Sequence, residues 1–302
     1  MTASGPTAPL RIGTRGSTLA LAQARAVARL LPTPTELVTI TTAGDVDRVR
    51  GDKSRWVGAL EAALLAGDID LAVHSAKDVP SELAAGTALV ATPRRADPMD
   101  VLVGEGVLSD VREAARVGTS ALRRRAQLLA VRPDLLVTDL RGNVDTRLRK
   151  LAGGEVDVLV LAAAGLERLG RRREAGGTLH GEVFVPAPGQ GVIAVQARVG
   201  SPAAEVAVAA CHDRTLACLR AERTAVRELA ASCHTPVGIH ADRVRIRGFA
   251  GLPDGSEWLV DELPVDGEDA AAFEAAGRDL ARRMLSAGAA ELLRDAEAMA
   301  TR

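Results

Sequence analysis

Two pairs of segments echo each other in the same order along this chain, and they constrain its fold more than any single motif. RIGTR (11–15) and RVGTS (116–120) each end an apolar strand and open a helix. GDIDLAVHSA (67–76) and GEVDVLVLAA (154–163) share glycine, an acidic residue, a β-branched residue, aspartate and an apolar run, each after a helix. An ordered double repeat predicts two similar α/β domains facing a common cleft. The intervening pattern agrees, with strands at 10–14, 36–42 and 69–75 and helices at 18–31 and 56–66. After Pro98 the rhythm restarts: strands near 100–103, 116–119, 135–140 and 156–162, helices at about 121–132 and 144–152.

Beyond the Gly/Pro-rich PAPGQG (186–191), a strand-like run follows, and residues 202–230 form a helical pattern broken near Asp213. Residues 237–265 read as strand, strand, a PDG turn and strand, and an Ala-rich helix at 269–286 closes the chain. The fold class expected is therefore α/β, with a small α+β domain at the C-terminal end. The expected boundaries are 1–93 with 192–209, 98–186, and 214–302.

Charge narrows the function classes. The 302 residues carry 38 basic and 39 acidic side chains, a net charge of −1, without the basic excess of a dedicated nucleic-acid binder. Aromatics are 2% with no tyrosine, so base stacking has little to work with. No apolar run approaches the roughly 20 residues that span a bilayer. The opening MTASGPTAPLR lacks the pattern of a secretory signal, which predicts a cytoplasmic protein with reduced thiols at Cys211, Cys218 and Cys233. Only Lys53, Lys77 and Lys150 are lysines, so nearly all positive charge rests on arginine.

Candidate chemistry gathers at strand ends. In GTRGS, Thr14, Arg15 and Ser17 occupy a strand-to-helix turn, where free N–H groups and the helix dipole favour an anion. GTSALRRR repeats this with Thr119, Ser120, Arg123 and Arg124, and LRGNVDTRLRK adds Arg141 and Arg147. Such serines and threonines also serve as plain N-caps, and such arginines as a solvated helix face. Clustered guanidinium groups suit carboxylates or phosphates. The strand IDLAV runs into His74, Ser75, Lys77 and Asp78, polar residues at a carboxyl end where α/β proteins bind ligands. A local Lys77–Asp78 pair is the plainer alternative. Cys233, on a loop before Pro236, is the cysteine best placed for nucleophilic attack or attachment, with an inert thiol the plainer alternative. A zinc site from Cys211, His212, Cys233 and His234 matches no known finger or ribbon spacing, and no metal is expected.

The segments RIGTRGSTLALAQA, LAVHSAKDVPSEL, RRADPMDVLV, VGTSALRRRAQL, DLRGNVDTRLRKL, VLAAAGLERLG, PAPGQG and AERTAVRELAASCHTPVG together resemble the porphobilinogen deaminase (hydroxymethylbilane synthase) family. The resemblance covers nearly the whole chain. It implies two α/β domains like those of periplasmic binding proteins around a cleft, plus a small α+β domain. It implies a monomeric transferase that joins four porphobilinogen units into hydroxymethylbilane with loss of ammonia, without nucleic-acid or membrane partners. By the same resemblance Cys233 carries a dipyrromethane cofactor as a thioether, and Asp78 is the catalytic aspartate. Arg15, Ser17, Lys77, Thr119, Ser120, Arg123, Arg124, Arg141, Arg147 and Arg168 match cofactor- and substrate-carboxylate positions. Lys53 and Trp56 align with a lid. The chain departs from the family pattern at Ala121, where a second serine is usual, and at Ala230-Ala231-Ser232, where Glu-Gly-Gly precedes the cysteine. The lid segment is also shortened. A non-catalytic anion- or tetrapyrrole-binding protein on the same scaffold is the alternative.

Overall fold

The computed structural model describes residues 8–42, 54–232 and 235–300. The chain divides into two compact units, Met1–Arg95 with Val192–Thr215 and Ala96–Gly191 with Leu216–Arg302. No helix among the described residues is long and apolar enough to cross a membrane.

The first unit is built on β1 (Leu10–Thr14), β2 (Thr35–Thr39), β3 (Leu71–Ser75), β4 (Thr87–Ala91) and β9 (Ile193–Arg198), in the order β2-β1-β3-β9-β4. β1 runs parallel to β2 and β3, whereas β9 is antiparallel to β3 and β4. The second unit holds β5 (Asp100–Val103), β6 (Arg116–Gly118), β7 (Leu136–Thr138) and β8 (Val158–Ala162), in the order β5-β8-β6-β7. Here β6 is parallel to β7 and β8, and β5 is antiparallel to β8. Strand for strand, β2-β1-β3-β9 and β7-β6-β8-β5 share one arrangement, and the repeated sequence segments fall on its matching members.

The repeat has a physical cause in each of its residues. Arg11 gives its backbone N–H and Nε to Asp70 Oδ2 at 2.8 and 3.1 Å, and Nη2 to Oδ1 at 2.9 Å. Arg116 makes the same three bonds to Asp157 at 2.8, 3.3 and 2.9 Å. Each pair staples the central parallel strands at their entry. The glycine two residues on is required by packing: a Cβ at Gly118 would lie 2.9 Å from Leu140 and 3.0 Å from Leu159, and one at Gly13 would overlap Ile69.

Helix α1 (Thr18–Ala28) starts where Ser17 Oγ accepts the Ala20 N–H, and it ends before the expected residue 31. Helix α2 (Ser54–Ala66) packs Leu60 and Leu64 beneath the first sheet with Ile69 and Ala72. In the second unit, α3 (Leu122–Val131) covers the sheet and α4 (Val144–Ala152) is capped by Asn143. Helix α5 (Ala163–Arg168) follows β8 directly. The expected break near Asp213 lies between α6 (Pro202–Ala207) and α7 (Asp213–Glu228).

A three-stranded antiparallel sheet of β10 (Val237–Ala241), β11 (Arg245–Gly251) and β12 (Trp258–Pro264) makes the α+β part. Helix α8 (Ala270–Ser286) lays Phe273, Leu280 and Met284 into a core with Ile239, Ile246 and Ala250. The chain does not close there. Gly288, at φ +99°, turns it into a further helix, α9 (Ala289–Ala300), whose Ala289, Leu292, Leu293 and Ala296 join the same core. Phe249 of this sheet also packs on Ala126 of α3 and on Val185, which binds the α+β part to the second α/β layer.

The centre of that second unit is ionic. Asp100 opens β5 at 6% exposure and takes Arg123 Nη2 at 2.8 Å, and Arg124 Nε and Nη2 at 3.0 and 2.7 Å. Gln190 Nε2 adds a bond to Asp100 at 2.9 Å and another to Pro98 O at 2.6 Å. Burial by itself would raise the Asp100 carboxyl, but the two guanidinium groups overcome this and hold it far below the usual carboxylate range. The stability it confers is therefore present above its unfolded value, near 3.8, and is lost as pH falls toward the folded value. Asp100→Asn leaves two buried guanidinium groups short of their counter-charge and is expected to cost about 3–5 kcal/mol in urea unfolding at pH 7. The gap to wild type should narrow below pH 4. An undiminished gap at pH 3 would assign the loss to packing instead.

Candidate functional site

In the first unit the buried strand β3 ends in a single 3-10 turn, Ala76–Asp78, that lifts Lys77 and Asp78 to half-exposed positions. The turn is tied down on both sides. Ser75 Oγ and the Gln23 amide meet at 2.9–3.1 Å, joining β3 to α1, and the Ala76 N–H donates to Val192 O at 3.0 Å. Behind them lies a buried polar chain. His74 Nε2 lies 3.1 Å from Gln196 Oε1, and Gln196 Nε2 donates to Glu61 Oε1 at 2.8 Å and Thr87 Oγ1 at 2.7 Å.

Burial pushes the His74 imidazole down to about 4, so it stays neutral at physiological pH and gives an N–H to the glutamine. The polar chain thus fixes the catalytic-looking turn without placing a second cation behind Asp78. Asp78 itself takes part in no hydrogen bond or ion pair among the described residues. Among the described residues this carboxylate is held in place by its backbone and not by a side-chain partner, and the Lys77–Asp78 pair does not form.

Arg15 leaves the end of β1 with its guanidinium carbon 4.0 Å from the Trp56 ring centroid. Ser17 is spent as the N-cap of α1, the plainer of its two sequence readings. The second unit treats the matching turn differently. Thr119 Oγ1, buried, accepts the Ala121 N–H at 3.2 Å, while Ser120 Oγ accepts Arg147 Nη2 at 2.9 Å. Arg147 Nε reaches Gly142 O at 2.8 Å. Ser120 occupies the repeat position of Arg15, so both turns present a guanidinium supplied from different places in the sequence. Ala121, lacking a hydroxyl, caps α3 without a side-chain bond.

Arg141 is half-exposed beside Asp139, Nε to Oδ2 at 3.0 Å. Arg123 and Arg124 are buried around Asp100 rather than displayed on a helix face. Their cluster holds two positive charges against one negative, and Asp100 is the only carboxylate acting on Arg123 among the described residues. Arg168 ends α5, with Nη2 on Gly191 O at 2.6 Å. Burial lowers its pKa to about 10, and no carboxylate hydrogen-bonds to it among the described residues. Asp100 and Gln190, which organise this side, were not singled out from the sequence; an aspartate opening an all-apolar strand, DVLV, was the available signal.

Lys53, Cys233 and His234 lie outside the described residues. Cys211 is half-buried at the break between α6 and α7, and Cys218 is buried on α7 with Sγ 3.5 Å from Asp242 O. No group of three or more metal-ligating side chains forms among the described residues.

Comparison with known proteins gives a consistent picture. The model of a porphobilinogen deaminase dipyromethane cofactor binding domain matches residues 10–205, and that of the porphobilinogen deaminase C-terminal domain matches residues 216–286. A porphobilinogen deaminase of Thermus thermophilus is 43% identical over 295 residues, covering 93% of this chain and 97% of that protein. One from Deinococcus radiodurans is 43% identical over 302 residues, with the same coverage. One from Thermobifida fusca is 42% identical over 313 residues, covering 97% and 98%.

The approach to Cys233 has its own backbone signature. Helix α7 ends with the Ala231 N–H on Val226 O at 3.1 Å and the Ala230 N–H on Arg227 O at 3.0 Å, a Schellman closure. Ala230 stands at φ +50°, the left-handed position that glycine fills without a Cβ penalty. Ala230→Gly is expected to stabilise the chain by roughly 0.5–1 kcal/mol in thermal unfolding. A lowered melting temperature would show that the alanine side chain contributes packing that outweighs its backbone cost.

Proposed function

The chain belongs to the porphobilinogen deaminase family, and we propose that it condenses four porphobilinogen molecules head to tail into hydroxymethylbilane, releasing ammonia at each addition. It does so on a dipyrromethane primer held as a thioether by Cys233. The observation that carries the reading is Arg168, a desolvated guanidinium bonded to a backbone carbonyl and to no carboxylate among the described residues. A group that rich in charge and poor in counter-charge fits an anionic ligand.

The residues present fit the dipyrromethane, whose pyrrole rings bear acetate and propionate groups. Arg168 and the net positive cluster of Arg123 and Arg124 around Asp100 favour those carboxylates. Arg15, Lys77, Arg141 and Arg147 serve further carboxylates of cofactor and substrate, with Ser17, Thr119 and Ser120 shaping the turns that hold them. Bound there, the dipyrromethane supplies the free pyrrole carbon that receives the first unit.

Asp78 supplies the negative charge. When ammonia leaves porphobilinogen, the carbon it departs from becomes cationic, conjugated with the pyrrole nitrogen. A carboxylate held by the Ala76–Asp78 turn accepts the pyrrole N–H and favours that charge without having to reorganise. Neutral His74 helps by leaving the field of Asp78 uncancelled. By the same reading Lys53 and Trp56 match the family's lid positions, Trp56 standing on α2 beside Arg15. The enzyme acts as a cytoplasmic monomer.

The test is the intact mass of the purified protein beside Cys233→Ala. An added mass equal to two linked pyrrole units, absent from the variant, is expected. An unmodified mass that persists after incubation with porphobilinogen would instead support a non-catalytic anion binder. Asp78→Asn should keep the cofactor and the melting temperature while kcat falls by at least 100-fold, on the order of 3 kcal/mol of lost charge stabilisation. Near-normal turnover would remove Asp78 from its role.

A further inference from the structure

Ser232 is the residue immediately before Cys233, and it is held at two of its atoms. Its carbonyl accepts the hydroxyl of Thr235, a buried residue, at 2.8 Å. Its own hydroxyl donates to Glu297 Oε1 at 2.7 Å, across 65 positions of sequence. That acceptor belongs to α9, which lies beyond the residues 216–286 that the family's C-terminal model matches. Serine itself stands where the family pattern has a glycine. A substituted residue of this chain thus meets a helix that the family match does not include.

Helix α9 is a firm place from which to hold a loop. Its Leu292 and Leu293 enter the same apolar cluster as Leu229 and Val237, which stand on either side of the cysteine in sequence. Ala231, next to the serine, packs on that cluster too. Glu297 follows Leu293 by four positions, so the buried face that seats the helix also directs the carboxylate toward Ser232. A charged acceptor makes this hydrogen bond stronger than a neutral pair would be. Ser232 is exposed, so the bond adds little to the folding free energy. What it removes is conformational freedom. A glycine would leave the backbone to be ordered at the moment of reaction, whereas the tied serine is ordered beforehand.

Resting on the reading that Cys233 carries dipyrromethane, we propose that Ser232 and Glu297 are positioning residues for the loading of that cofactor, acting through α9. In attachment the Cys233 sulfur bonds to the aminomethyl carbon of porphobilinogen, the carbon–nitrogen bond breaks, and the thiol proton leaves with the ammonia. Neither Ser232 nor Glu297 takes part in those bonds. They restrict where the backbone presents the thiol, so their loss slows loading without unfolding the chain.

The test uses the full chain made in cells that supply no porphobilinogen, so that it starts without the cofactor. Porphobilinogen is then added, and the gain of two linked pyrrole units is followed by intact mass. A wild type that never gains this mass would overturn the cofactor reading, and the proposal with it. Given loading, Ser232→Ala and Glu297→Ala should each slow it by about fivefold or more. The double variant should be no slower than either single one, as expected of two ends of one bond. Glu297→Gln keeps an oxygen acceptor and should load within about twofold of wild type. Melting temperatures should stay within about 2 °C of wild type.

Loading at the wild-type rate in the single variants would overturn the proposal. So would effects that multiply in the double variant, or a glutamine variant as slow as the alanine one. A melting temperature that falls in step with the loading rate would reduce the bond to a folding contact and overturn it as well.

Discussion

One carboxylate between two arginines sets the terms for the second unit. Charges that deep are expensive to desolvate, and the expense is offset only if every group finds partners of good geometry. Asp100 satisfies this with Arg123, Arg124 and Gln190, while Arg124 Nη1 reaches Val160 O, and Arg123 Nη1 bonds Val185 O and Gln127 Oε1. Those partners come from α3, β5, β8 and the 185–190 segment. Apolar packing alone would let these elements slide, because dispersion and burial are indifferent to register. The ionic cluster has essentially one arrangement in which its donors and acceptors match, and so it fixes where Arg168 and the 119–124 turn stand relative to one another. The same cluster that secures the unit leaves it one positive charge in excess.

The repeat explains how a binding scaffold came to carry opposite charges. The Arg11–Asp70 and Arg116–Asp157 staples and the close-packed glycines Gly13 and Gly118 are duplicated almost bond for bond. They sit at the strand entries and in the core, where packing demands the same solution twice. At the opposite ends of the corresponding strands the copies diverge. β3 exits into a tight turn bearing Lys77 and Asp78, whereas β8 exits into α5, which ends in Arg168. The framework is shared and the strand ends are specialised, which is where α/β folds place their ligands.

The legible part of the chain was its framework. Alternation of apolar runs with amphipathic stretches predicts the strand order's raw material, and the repeated R-x-G-T segments land on β1 and β6 because glycine and threonine there answer to backbone and core constraints. Ser17 and Asn143 were readable as caps for the same local reason. Burial of Arg123 and Arg124 was not readable, since a solvated arginine face and a buried ion cluster have the same spacing. What separates them is Asp100, more than twenty positions away, a long-range pairing that no window contains. Helix α9 was missed although Ala289, Leu292, Leu293 and Ala296 show helical spacing, because Gly288 interrupts the preceding helix and reads as an end. His74 was readable only as a histidine on a buried strand; its neutral state depends on Gln196 and Glu61, which other strands and helices bring to it.

The near-absence of lysine has a consequence at the site, whatever its origin in composition. Arg168 loses part of its preference for the charged state to burial, which lowers it to about 10, and remains a cation at neutral pH. A lysine starts from a lower pKa, so the same burial would leave a growing share of molecules uncharged. A desolvated anion site built from lysines would therefore weaken as it became better shielded from water. Built from arginines, it can be buried as deeply as Arg123 and Arg124 are and still hold its charge, so shielding strengthens each carboxylate contact instead of erasing it.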